Sequence, residues 1–160
     1  MSDLLWDEVK NFFDPGLMGP LPDVVVPDTS AADWQKLFDL VRSCGWTFAY
    51  TVDGVVVPLP TAAEILAGPV ASKVGDLRVY PVAGVLVIFR PWSAETIDFD
   101  VNLRELQGQE GVDVLCDLLS TIGRTLDKQV LMGAEGDDGH PVLGFDPAAD
   151  RVVLLADPRL

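Results

Sequence analysis

Histidine occurs once in this chain, cysteine twice, and basic residues number 11 against 25 acidic ones. Each scarcity removes a class of function. With His140 alone, every histidine-dependent mechanism must pass through one position. Cys44 and Cys116 make neither a disulfide framework nor a zinc-ligand spacing. Both fall on apolar helical stripes, which predicts two reduced, buried thiols. The shortage of basic residues disfavours nucleic acid and anionic membranes as partners. No apolar run approaches the roughly 20 residues of a membrane span. The opening MSDLLWDEVK has neither the basic start nor the apolar stretch of a signal peptide, so a cytoplasmic protein is expected. Glycine loops of the phosphate-cradling kinds are missing, as are the serine motifs of hydrolases, and no motif calls for a cofactor.

What is present is an apolar chain with an acidic surface. Hydrophobic residues make up 49% of its 160 residues, and the formal net charge is -14. A chain this apolar buries a core, so its acidity is not a sign of disorder; the charge lies on the outside of one domain spanning residues 1–160 and favours basic partners.

The apolar periodicity outlines the elements. A first helix over residues 3–13, capped by Ser2, places Leu5, Val9, Phe12 and Phe13 on one face. Residues 14–29, rich in proline and glycine, read as a wrapping loop with Val24–Val26 a short strand inside it. Ser30 and Asp33 form a capping box for a second helix with the stripe Trp34, Leu37, Phe38, Val41 and Cys44, ending at Gly45. Asp53-Gly54 marks a hairpin between Trp46–Val52 and Val55–Pro58. Thr61 and Glu64 cap a short helix ending near Gly68. Leu77–Val82 and Val85–Arg90 form a second hairpin, whose VLVIF run predicts a central strand covered on both faces.

From Thr96 to Leu103 the pattern alternates, with Ile97, Phe99, Val101 and Leu103 facing inward and Asp98 and Asp100 outward. A long helix over Gln109–Leu126 carries Val112, Leu115, Cys116, Leu119, Ile122 and Leu126 on its stripe, with Gly123 permitting close packing. Strands over Gln129–Met132, Pro141–Phe145 and Arg151–Ala156 finish the chain. The order predicts an α+β domain with an antiparallel or mixed sheet packed by two or three helices.

Two clusters bear chemistry. Glu135, Asp137, Asp138 and His140 lie within six residues, a set that suits a divalent cation or a solvated hairpin turn. Asp98 and Asp100 share a strand face, where paired carboxylates serve as metal ligands, as general acid and base, or as a docking surface. Their segment opens like a calcium loop, but Leu103 occupies the glycine position and Gln109 the glutamate position, which excludes that motif. Trp92, in the loop Arg90–Glu95, either anchors an interface or folds over the sheet edge. Trp6, Trp34 and Trp46 are expected in the core.

The C-terminal third runs from Leu115-Cys116-Asp117-Leu118-Leu119 through Gly123-Arg124-Thr125-Leu126-Asp127-Lys128-Gln129-Val130 to Glu135-Gly136 and Pro141-Val142-Leu143-Gly144-Phe145-Asp146. In its rhythm of helix, strand, acidic turn and strand, over about 40 residues, it resembles small acidic bacterial immunity proteins. That resemblance implies a basic toxin as partner, contacted through carboxylates and an aromatic; acidic secretion chaperones have a similar composition. The expected function is therefore a non-enzymatic, immunity- or chaperone-like module that binds a basic protein through Asp98, Asp100, Trp92, Asp137 and Asp138. The alternative is a metal- or small-ligand-binding domain or hydrolase using the Asp98/Asp100 pair and His140. A homodimer is compatible with either.

Overall fold

The computed structural model describes residues 3–67, 75–137 and 139–159. Within them the chain forms an α+β domain around one antiparallel sheet of nine strands. The strands are β1 (Asp23–Val26), β2 (Thr47–Val52), β3 (Val55–Val57), β4 (Asp76–Val82), β5 (Val85–Phe89), β6 (Ile97–Asp100), β7 (Val130–Gly133), β8 (Leu143–Asp146) and β9 (Arg151–Leu154). The helices are α1 (Trp6–Val9), α2 (Pro15–Met18), α3 (Ala31–Ser43), α4 (Ala62–Leu66) and α5 (Gly108–Leu126), with 3-10 turns at Lys10–Phe13 and Leu103–Glu105.

The sheet order is β3-β2-β4-β5-β6-β1-β7-β8-β9. Every neighbouring pair is antiparallel, so β1 runs the same way as β2, and β6 the same way as β7. Strands of like direction cannot be joined by a tight turn. The crossovers between them are α3 and α5, which pack against each other on one face of the sheet.

Beneath those helices lie Val24 and Val26 of β1, Val87 and Phe89 of β5, Ile97 and Phe99 of β6, and Val130 and Met132 of β7, all fully or almost fully buried. The stripe of α3, Trp34, Leu37, Phe38 and Val41, closes the core from above, as does that of α5. The Ser30 hydroxyl accepts the Asp33 N–H and the Asp33 carboxylate accepts the Ser30 N–H at 3.0 Å, completing the capping box. The same carboxylate is buried and lies 4.0 Å from Lys128 Nζ, which ties the start of α3 to the end of α5. In α5, a Cβ at Gly123 would stand 2.1 Å from the Phe145 ring, so the missing side chain is what lets helix and sheet approach. Asp53 and Gly54 both take positive φ, the twisted two-residue turn that their dipeptide signals.

Four expectations are revised. Residues 14–29 hold the expected short strand at Val24–Val26, but they are more than a wrapping loop: α2 opens the stretch, and the strand, β1, lies between β6 and β7 and joins the two halves of the sheet. The first helix is only α1 followed by a 3-10 turn; it is preceded by Leu5, 53% exposed, with no side-chain cap, and Ser2 lies outside the described residues. Cys44 is exposed, because α3 ends at Ser43 and the cap residue leaves the stripe; Cys116 is buried as expected. The VLVIF strand is covered on one face only, since Leu86 and Ile88 are half-buried on the side opposite the helices. Trp34 is fully buried, while Trp6 and Trp46 pack on the core partly exposed. The short helix expected to end near Gly68 is α4, which closes at Leu66 with Ala67 as its cap; Gly68 itself lies outside the described residues.

Candidate functional site

Strand alternation decides which side chains share the open face. Direct cross-strand partners project to the same side. Asp100 of β6 is opposite Asp23 of β1 and Ile88 of β5, and Asp98 is opposite Val25. Val25 is in turn opposite Leu131 of β7. With Ile97 and Phe99 turned into the core, Asp98 and Asp100 turn away from the helices, and the central register adds Asp23 beside them. Three carboxylates therefore stand on two adjacent central strands around the aliphatic side chain of Val25.

Two loops wall this patch into a concavity of about 650 Å³, lined by Asp23, Asp98, Asp100, Arg90, Trp92 and Gly139 among others. The first wall is the β5–β6 connection. Its backbone is held from behind: Trp34 Nε1 donates to Ser93 O at 2.8 Å, Thr29 Oγ1 to Ala94 O at 2.7 Å, and the Thr29 N–H to Glu95 O at 3.0 Å. Trp92 rides on this anchored loop with 69% of its surface exposed, so it does not fold over the sheet edge. Arg90 lies alongside, its guanidinium carbon 6.0 Å from the Trp92 ring centre. Arg90 also forms an ion pair with Asp100 and places Nε 3.8 Å from Asp76. Asp98 accepts a hydrogen bond from Thr96 Oγ1 at 3.3 Å.

The second wall is the β7–β8 connection, tied down by Glu135 N–H to Met18 O at 2.7 Å and by Gly136 N–H to the Asp23 carboxylate at 3.2 Å. Asp137 lines a smaller adjoining hollow of about 140 Å³ that shares Asp23, Val25 and Gly139 with the larger one. Asp138 lies outside the described residues. His140 Nδ1 is 2.8 Å from Asp137 Oδ1, and its side chain is 79% exposed. It is Gly139, not His140, that lines the concavity beside Asp98 and Asp100.

The fold thus gathers Asp98, Asp100 and Trp92 at one hollow and Asp137 at its neighbour, and leaves the histidine outside. Among the described residues, no group of three or more His, Cys, Asp or Glu side chains is placed to hold a metal ion. The three carboxylates are spread over a triangle rather than focused on a point: Asp23 and Asp100 are direct partners, about 5 Å apart between Cα atoms, and Asp98 lies about 7 Å from Asp100 along β6. Carboxylates spread in this way suit several positive charges better than one ion.

Asp23 and Arg90 were not legible as site residues. Asp23 needed the long-range pairing of β1 with β6, and Arg90 needed the hairpin that brings it to Asp100. A depressed carboxyl occurs elsewhere, at Asp157, where the hydrogen bonds from the Arg159 side chain favour the charged form at a partly exposed position. Among the described residues no helix is long and apolar enough to cross a membrane. Comparisons with protein-family models, curated proteins and solved structures found no match to this chain.

Proposed function

We propose that this protein is a non-enzymatic binding module whose open sheet face receives a basic segment of another protein, in the manner of an immunity protein or a secretion chaperone acting in the cytoplasm. The observation that carries the reading is the grouping of Asp23, Asp98 and Asp100 on adjacent central strands, beside an exposed tryptophan held on an anchored loop. Aromatic side chains that are rigid before binding lose little freedom when covered, which is why they dominate interface energetics. The net charge of -14 adds long-range attraction for a cationic partner. It also argues against a second copy on this face, because a two-fold contact there would set like charges against each other. The metal or hydrolase reading has less support: Asp100 is engaged by Arg90, and His140 is turned toward Asp137.

Affinity capture from extract of the source organism tests it, with wild type compared against Asp98→Asn, Trp92→Ala and, as a control at α1, Glu8→Gln. A basic protein should be retained by wild type and the control at low salt, be released by high salt, and be lost with either face substitution. Retention unchanged by both face substitutions would sink the proposal.

A further inference from the structure

The open sheet face already carries cations, Arg78 of β4 opposite Ile88 and Arg90 beside Asp100, and Arg90 shows what kind of side chain the acidic patch holds. Arg90 pairs with Asp100 while its guanidinium carbon stands 6.0 Å from the Trp92 ring centre. A planar, weakly hydrated guanidinium suits this combination of carboxylate and indole; a compact, strongly hydrated ammonium does not stack in the same way. Trp92 remains 69% exposed, so most of its ring surface is open to a second cation.

Spacing says how such cations must be presented. Asp98 and Asp23 are diagonal neighbours across β6 and β1, because Asp98 is opposite Val25 and Asp23 is opposite Asp100. Diagonal positions on an antiparallel pair are about 7–8 Å apart. Side chains at alternate positions of an extended chain project to one side at about 7 Å intervals. Val25, directly opposite Asp98 and two residues along β1 from Asp23, gives an apolar floor for the methylene stems of long cationic side chains.

We propose that the occupant of this face is an extended segment presenting arginines, not lysines, from alternate positions, with one guanidinium against Trp92 and its neighbours on Asp98 and Asp23. The proposal rests on the acidic-face reading above and narrows it to one residue type and one spacing. Arg90 is then an internal competitor that occupies Asp100 until the partner arrives.

The test is binding of labelled peptides of about eight residues, sized to the span of a strand pairing, by fluorescence anisotropy. An alternating Arg-Gly peptide, its Lys-Gly counterpart and a block peptide with all arginines at one end are compared at low salt. The alternating arginine peptide should bind about three- to fivefold tighter than the lysine one, as expected of a surface cation–aromatic contact. Trp92→Ala should abolish that preference. Asp98→Asn should weaken both alternating peptides, and Arg90→Gln, which frees Asp100, should tighten them. Asp98→Asn is used first because Asp23 also holds the Gly136 N–H, and unchanged melting curves would show that each variant is folded. Equal affinity for arginine and lysine peptides, or for block and alternating ones, overturns this inference but leaves the acidic-face reading intact if Asp98→Asn still weakens binding. Affinities indifferent to Asp98→Asn overturn both.

Discussion

Gly123 shows how a single residue sets a distance in this fold. Helix propensity alone predicts that alanine there stabilises α5 by about 1 kcal/mol. The Phe145 ring stands 2.1 Å from where the new methyl would sit, and overpacking of that kind costs about 1–3 kcal/mol. The clash wins, so Gly123→Ala should lower stability in urea unfolding, and adding Phe145→Leu should recover part of the loss. A gain in stability would mean that α5 and β8 do not need their close approach. Cys44 makes the complementary point: it has the spacing of a core residue, but the helix ends one residue before it. Trp92 is the reverse case, a large apolar side chain left in solvent by a loop whose Ser93, Ala94 and Glu95 carbonyls are engaged from behind.

Among elements, β1 was legible as a strand but not in its place, and that place is the most consequential. The chain contains two runs of three valines, Val24–Val26 and Val55–Val57, alike as sequence. The first is a central strand with Val24 and Val26 buried; the second is β3, an edge strand with Val55 and Val56 61% and 67% exposed. Val24→Ala should therefore cost about 2 kcal/mol, from lost burial and the cavity left behind, while Val56→Ala should leave the unfolding midpoint nearly unchanged. Equal effects would contradict the sheet order. Local signals served better wherever the determinant was local. The capping box at Ser30, the Asp53-Gly54 turn and the stripe of α5 were all readable because each is decided within a few residues. The pairing of residues 23–26 with 97–100 and 130–133 depends on chain segments far away in sequence.

At the scale of the molecule, the helices cover one face of the sheet and the charge excess is carried by the outside. Self-repulsion among unscreened carboxylates opposes the compact state. Raising sodium chloride from low to moderate concentration should therefore raise the melting temperature, as screening shortens the reach of that repulsion to about 10 Å at 0.1 M. A melting temperature that falls with salt would show that pairs such as Arg90–Asp100 and Arg124–Asp150 outweigh the general repulsion. Partner binding should respond in the opposite direction, weakening with salt because there the attraction is what is screened.

By itself the sequence determined the fold class, most element positions, the surface charge and the outward direction of Asp98 and Asp100. These follow from periodicity and from side-chain chemistry that acts within one element. Only the tertiary structure decided that β1 lies at the centre of the sheet, that Asp23 joins the two predicted carboxylates, and that Arg90 and Trp92 stand beside them while His140 does not. Strand order and cross-strand register are set by the burial of a whole sheet face beneath α3 and α5, a cooperative property that no window along the chain contains.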